Sequence, residues 1–266
     1  MILRRLARAF RRQDWATVFT ELVIVILGVW IGLQASNWNA EHARRATASA
    51  ARHSLVANLQ RDIREFEARE RYYNSLYAHA DVVLAVMNDP AQLDEIGAWH
   101  FVESSYRLGQ IWPFAQSGQV YRELEGKGDL DLIGGPDIRV AVAEYYDSWG
   151  AEFGITVNVQ DPFRIRVRQL MPVALQNHLD KACRSDQGSD GSRVEGANIN
   201  DGLPRCPAPD MPAPIDATAG EFAGSRELHE LARGAVAQMN TTLSVLRDIR
   251  ADAEILIKKI EMQETR

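Results

Sequence analysis

Two features of this 266-residue chain could do chemistry. The first is its only pair of cysteines, Cys183 and Cys206, which bracket a polar segment of 22 residues. In an oxidising compartment that spacing suits a loop-closing disulfide. On the chain-entropy account, closing such a loop is worth about 3.5 kcal/mol. The second is Glu21, a carboxylate inside the apolar stretch from Trp15 to Ala35. A carboxylate in a membrane-spanning stretch is expensive and is read as functional by default. Gly28 and Gly32 form a G-x-x-x-G pair in the same stretch, with Ser36 four residues on. At about 100° per residue, Glu21 lies about 20° from each glycine on the helical wheel. Small residues let helix backbones approach, and a polar side chain on that face can bond across. Glu21, Gly28, Gly32 and Ser36 are therefore a candidate transmembrane interface. The alternative is that Glu21 reaches for the headgroups and the glycines are incidental.

Other reactive residue types form no recognisable constellation. The six histidines make no H-E-x-x-H or comparable pair, and His79 and His100 sit among apolar residues as core histidines do. His178 and His229 could complete a zinc site with the cysteines, but neither spacing nor compartment favours it. Asp186, Asp190 and Glu195 lack the spacing of a calcium loop. No G-x-S-x-G, phosphate loop or dinucleotide fingerprint occurs. Glu123, Asp129 and Asp131 are the carboxylates a tethered enzyme would have to converge. No catalytic residue, cofactor or metal is expected.

The elements that position these residues begin with the span. Twenty-one residues at about 1.5 Å each cover roughly 31 Å, the thickness of a bilayer's hydrocarbon core. No small-x-small cleavage site closes the apolar run, so an uncleaved anchor over 15–36 is expected rather than a removed signal. Arg4, Arg5, Arg8, Arg11 and Arg12 precede it; Arg44, Arg45 and Arg52 follow, partly offset by Glu41. The heavier positive flank stays cytoplasmic, so residues 1–14 form a basic cytoplasmic tail and 37–266 lie outside. Arg11, Arg12, Trp15 and Trp38 are the candidate membrane-surface anchors. Removing the tail's net +4 and the span's −1 from the chain's −6 leaves −9 on the remainder. An acidic domain of that kind is not a nucleic-acid binder.

The run from Glu21 through Gly28 and Leu33-Gln34 to Asn37-Trp38-Asn39 resembles the N-terminus of a family of uncharacterised bacterial single-span membrane proteins. A central block is similar too: Ser117-Gly118, Tyr121, Glu123-Leu124, Gly128, Leu130, Leu132-Ile133, Arg139 and Tyr145-Tyr146. One departure is Ala40, where an acidic residue is expected and the acid is instead Glu41. The resemblance implies a bacterial inner-membrane anchor with a helical periplasmic domain, and it carries over no catalytic residues.

The rest reads as all-α: an N-terminal transmembrane helix followed by a bundle of long helices. From Ala40 to Met87 there is no Pro or Gly, and Leu59, Ile63, Phe66, Tyr73, Tyr77, Ala80, Leu84 and Met87 fall at three-four spacing, violated by Glu70. This predicts one long amphipathic helix, ended by Asn88-Asp89-Pro90. Shorter helices are expected from Ala91 to Tyr106, before Gly126, after Gly135-Pro136 and after Asp161-Pro162. Residues 184–217, rich in Pro and Gly, read as a loop. From about Ser225 to Met262 a four-three pattern runs through Leu228, Ala232, Ala235, Met239, Thr242, Leu246, Ile249, Ala253, Leu256 and Ile260. That pattern suits either one helix of an antiparallel bundle or an intermolecular coiled coil. The expected function is a membrane-anchored interaction or sensor-like module without catalytic activity. Its partners would be the lipid bilayer and a second copy or another membrane protein. The alternatives are an accessory subunit docking through the span and a membrane-tethered enzyme.

Overall fold

The computed structural model describes residues 15–112, 116–148, 161–182 and 206–264. Every regular element among them is helical. In chain order they are α1 (Trp15–Asn88), α2 (Gln92–Ile96), α3 (Ala98–Leu108), α4 (Gln119–Lys127), a 3-10 turn (Leu130–Leu132), α5 (Pro136–Ala143), a π turn (Glu144–Ser148), α6 (Pro162–Leu170), α7 (Val173–Ala182), α8 (Pro212–Gly224) and α9 (Arg226–Glu264). The chain divides into two compact units, Met1–His53 and Ser54–Arg266.

The described part of the first unit is the beginning of α1. Its residues from Phe19 through Leu33 are apolar apart from Thr20, Glu21 and the glycines, and almost all are exposed. The helix is long and apolar enough to cross a membrane. From Asn37 to His53 the sequence turns polar and the helix continues with internal supports such as the Arg45–Glu41 pair at 2.9 Å.

In the second unit, the rest of α1 runs antiparallel to α9. Glu70 pairs with Arg250 at 3.2 Å, the Tyr77 hydroxyl donates to Asn240 Oδ1, and His229 Nε2 meets Asn88 Oδ1 at 3.0 Å. Partner numbers on α9 fall as those on α1 climb. All ten four-three positions read from the sequence of α9 are buried, so the seam is used within the chain, as one helix of an antiparallel bundle.

The buried stripe of α1 differs from the expected one. It runs Leu55, Leu59, Asp62, Phe66, Arg69, Tyr73, Leu76, Ala80, Val83 and Met87, again alternating four and three. Ile63 and Leu84 are only half-buried, and Tyr77 is 37% exposed. Two four-three stripes share alternate positions on a helix. The apolar one drew the reading, but the chain buries the one containing Asp62 and Arg69. Glu70, which violated the expected stripe, sits at its edge and meets Arg250.

The short helices pack over this pair. α8 lies on α3 and α6, α6 on α3, and α9 on α5 and α6. Their shared core includes Val83 and Val86 of α1, Phe101 and Val102 of α3, Phe163 of α6, Leu175 of α7, Phe222 of α8 and Leu228 of α9. Two boundaries depart from expectation. Gly97, at φ 88°, splits the segment after Ala91 into α2 and α3, because that left-handed backbone suits a residue without Cβ. α8 begins at Pro212, inside the segment read as a loop to 217. Proline fits a first helical turn, where its missing N–H has no partner to lose, so Pro212 and Pro214 start this helix rather than forbid it.

Leu246 is fully buried in the α9 seam. Leu246→Ala is expected to cost about 2–5 kcal/mol, through lost burial and the cavity left behind. Denaturant unfolding followed by helical circular dichroism checks this; a change under 1 kcal/mol (about half the lower bound) would mean the seam is loosely packed.

Candidate functional site

On the first unit the candidate interface is an open face. Glu21, Gly28, Gly32 and Ser36 are exposed, and a Cβ placed on either glycine would meet nothing within 4 Å. Trp38 is 68% exposed and stacks on His42 with ring centroids 5.1 Å apart. Arg11 and Arg12 lie outside the described residues. Trp15 opens α1, and its side chain is likewise outside them.

In the second unit, the strongest concentration of polar chemistry surrounds Asp62, a residue with no exposure. Its Oδ1 accepts the Ser117 N–H at 2.9 Å, and its Oδ2 accepts the Tyr145 hydroxyl at 3.1 Å. Two amides fasten the same strip of chain. Asn58 donates to the Ser117 carbonyl at 2.7 Å, and Gln116 donates to the Tyr145 carbonyl at 2.7 Å. Burial pushes the Asp62 carboxyl up from the usual carboxylate range, while the Ser117 bonds, the Tyr145 hydroxyl and Arg61 pull it part of the way back. Burial and the neighbouring carboxylate push the Tyr145 hydroxyl well above an ordinary phenol.

Three tyrosines continue outward from this centre. Tyr145 meets Tyr146 edge-on at 4.8 Å, and Tyr146 stacks on Tyr121 at 5.1 Å with 12° between the rings. Tyr121 donates to Asp147 Oδ2 at 2.8 Å. Gly118 lies so close that a Cβ there would sit 3.2 Å from the Tyr146 ring and 2.7 Å from the Arg122 guanidinium. Ser117 and Tyr145, far apart in the chain, therefore meet at one buried carboxylate of α1.

A second polar layer lies on α3, where every residue from Phe101 to Leu108 is buried. Glu103 and Arg107 pair at 2.8 Å with almost no exposure. Glu103 Oε1 also accepts the Cys206 N–H at 2.9 Å, and Trp99 donates to the Cys206 carbonyl at 2.8 Å. One expected half of the disulfide is thus held by two residues of one helix. Cys183 lies outside the described residues. Ser104 Oγ meets His79 Nδ1 at 2.9 Å, so His79 is a satisfied core histidine, as expected. Burial, helped by Arg107 and His100, lowers His79 to about 4.

The carboxylates considered for an enzyme do not share such surroundings. Glu123 and Asp131 are exposed, and Glu123 bonds Lys127 at 2.6 Å, which lowers its acid range. His178 meets the Pro207 carbonyl at 2.7 Å, apart from His229 and its contact with Asn88. Among the described residues no group of three or more His, Cys, Asp or Glu is placed to hold a metal. What the arrangement does chemically is cross-link helices. Asp62 and Arg69 are not evident from the sequence as site residues, because a charged residue on a long helix is ordinarily a surface one. The signal was there: both stand at four-three spacing with Leu59, Phe66 and Tyr73.

No family model, curated protein or solved structure matches the chain.

Asp62 and His79 pull stability in opposite directions with pH. A raised carboxyl stabilises the fold most below its ordinary range, and that contribution is lost as pH climbs. A lowered histidine contributes fully above its ordinary value near 6.5, and that contribution is lost as pH falls toward about 4. Asp62→Asn keeps an acceptor for Ser117 and a polar group for Tyr145. It is expected to flatten the loss of stability above the carboxylate range, while His79→Asn flattens the loss on the acid side. Unfolding midpoints across this pH range check both; parallel curves for wild type and variants would remove Asp62 and His79 as the titrating groups.

Proposed function

We propose that this protein is a membrane-anchored interaction or sensor-like module without catalytic activity. In this reading the span over 15–36 sits in a bacterial inner membrane, the basic tail stays cytoplasmic, and the helical unit stands in the periplasm. What supports it most is the exposed apolar start of α1. Helix surface bearing Leu22, Ile24, Ile26, Leu27, Trp30 and Ile31 to solvent calls for a bilayer around it. The five arginines before it set the orientation. In the helical unit, buried Asp62 bonds Ser117 and Tyr145, and buried Glu103 pairs with Arg107, contacts that suit a scaffold. The open face of Glu21, Gly28, Gly32 and Ser36 is where this scaffold would meet a second copy, and the resemblance of the N-terminal motif supports a single-span anchor. A different membrane protein docking on that same face is the second reading; Glu21 favours it equally, and the mass and composition of the detergent-purified assembly separate the two.

Export is testable at both ends of the argument. A reporter active only outside the cytoplasm, fused after Arg266, is expected to be active, and Cys183 and Cys206 are expected to resist alkylation unless reduced. Activity of a cytoplasm-only reporter at that place would reverse the orientation, and freely alkylated thiols in envelope preparations would dispose of the disulfide.

Self-association is tested on the face itself. Gly32→Ile is expected to hold backbones apart and lower dimer formation in a bilayer dimerisation assay. Glu21→Ala is expected to lower it too, while membrane yield holds or rises because a costly carboxylate is gone. Wild-type association in both variants would mean that the glycine face is incidental.

A further inference from the structure

Just past the apolar run, α1 carries positive charge that opposes its own orientation. Residues 37–53 hold Arg44, Arg45 and Arg52 against Glu41, so the −9 of residues 37–266 divides into +2 here and −11 beyond. Arginines on the exported flank of a span work against the bias set by the five in the tail. A cost of that kind calls for a use.

The two arginines nearest the span are placed to meet lipid headgroups. The Arg45 side chain is 72% exposed, and Arg44 is exposed too. Side chains on a helix lean toward its N-terminus, which here is back toward the bilayer. Arg45 does so: its Nε donates to Glu41, one turn nearer the span, at 2.9 Å. With the span ending at Ser36, the Arg45 Cα stands roughly 13 Å past it, and one turn of lean recovers about 5 Å. Its guanidinium therefore comes to about 8 Å from the hydrocarbon, the outer margin of a headgroup layer roughly 5–8 Å deep. Trp38, stacked on His42, stands only about 3 Å past the same edge, where amphipathic rings settle. Arg52, about 24 Å out, lies beyond the screened reach of that layer.

Glu41 does not use up this charge. It holds Arg45 through Nε, in an exposed pair of the weak kind, and the Nη donors remain for a second anion. Trp38, Arg44 and Arg45 also lie about 100–140° round the helix from the face of Glu21, Gly28 and Gly32. They meet lipid even when that face is paired. A zwitterionic headgroup brings its own cation, so a net attraction needs an acidic one.

We propose that Arg44 and Arg45, with Trp38 beside them, bind the phosphates of acidic phospholipids on the exported side of the membrane. The inference deepens the anchored reading by naming a lipid class, and so rests on it.

The full chain in phosphatidylcholine vesicles, with a trace of spin-labelled phosphatidylglycerol or phosphatidylcholine, tests it. Electron paramagnetic resonance reads the share of each label immobilised at the protein. Wild type is expected to favour phosphatidylglycerol. Arg44→Gln with Arg45→Gln is expected to lower that preference about twofold or more, because ion contacts worth about fivefold each are averaged over the whole lipid shell. Glutamine is a good helix former, so α1 is kept. What preference remains belongs to the tail. An unchanged ratio in the double variant assigns all selectivity to the tail and overturns the inference. A wild-type ratio that falls to the variant's on adding inorganic phosphate at fixed ionic strength means that the arginines take free phosphate, and overturns the lipid source. An immobilised shell without preference in wild type overturns this inference alone, whereas no immobilised lipid of either kind overturns the span itself and this inference with it.

Discussion

A carboxylate shut away from water must be met by donors, and α1 cannot supply them to its own Asp62. Within a helix the backbone N–H groups already serve carbonyls four residues back. The donors come from residues 55 and 83 positions later in the chain, Ser117 and Tyr145. Removing either donor would leave a desolvated oxygen, which costs about 1–3 kcal/mol. The strip Gln116–Gly118 and the π turn at Tyr145 are therefore fixed together on α1. A stacked pair of buried tyrosines, Tyr146 and Tyr121, then extends that junction toward Asp147.

Arg69, one heptad along the same stripe, is handled differently. Its guanidinium lies 4.5 Å from the Trp112 ring centroid and bonds the Glu65 carboxylate at 2.7 Å. A planar cation can be covered by an aromatic face while its Nη1 donates to the Glu65 carbonyl and carboxylate. Charges at Asp62 and Arg69 thus specify which segments of the intervening chain lie on α1, and where. Apolar contacts alone would tolerate sliding along a four-three seam; a buried Asp with two directed hydrogen bonds does not.

The features legible in the sequence were those carried by period and punctuation. α9 was readable because its ten seam positions are apolar or small throughout, and Asn88-Asp89-Pro90 marked the end of α1. Pro136 and Pro162 marked two helix starts. Period alone could not choose between the two overlapping stripes of α1, since that choice depends on partners far along the chain. Nor could the proline count between 204 and 214 separate a loop from the first turn of α8, because proline is at home in both. The site was half legible: the residues of the central motif were in view, but the buried acid they fold around was not among them.

The same economy explains the form of the α9 seam. Long apolar side chains at all ten positions would have favoured pairing with any similar helix, a second copy included. Alanine at 232, 235 and 253 and threonine at 242 give less burial per position, so α9 depends on α1 together with the short helices packed across it. Where Phe101, Phe163 and Phe222 reach the core, small seam residues leave room for them. A weak seam thus serves as packing where bulky side chains lie over it.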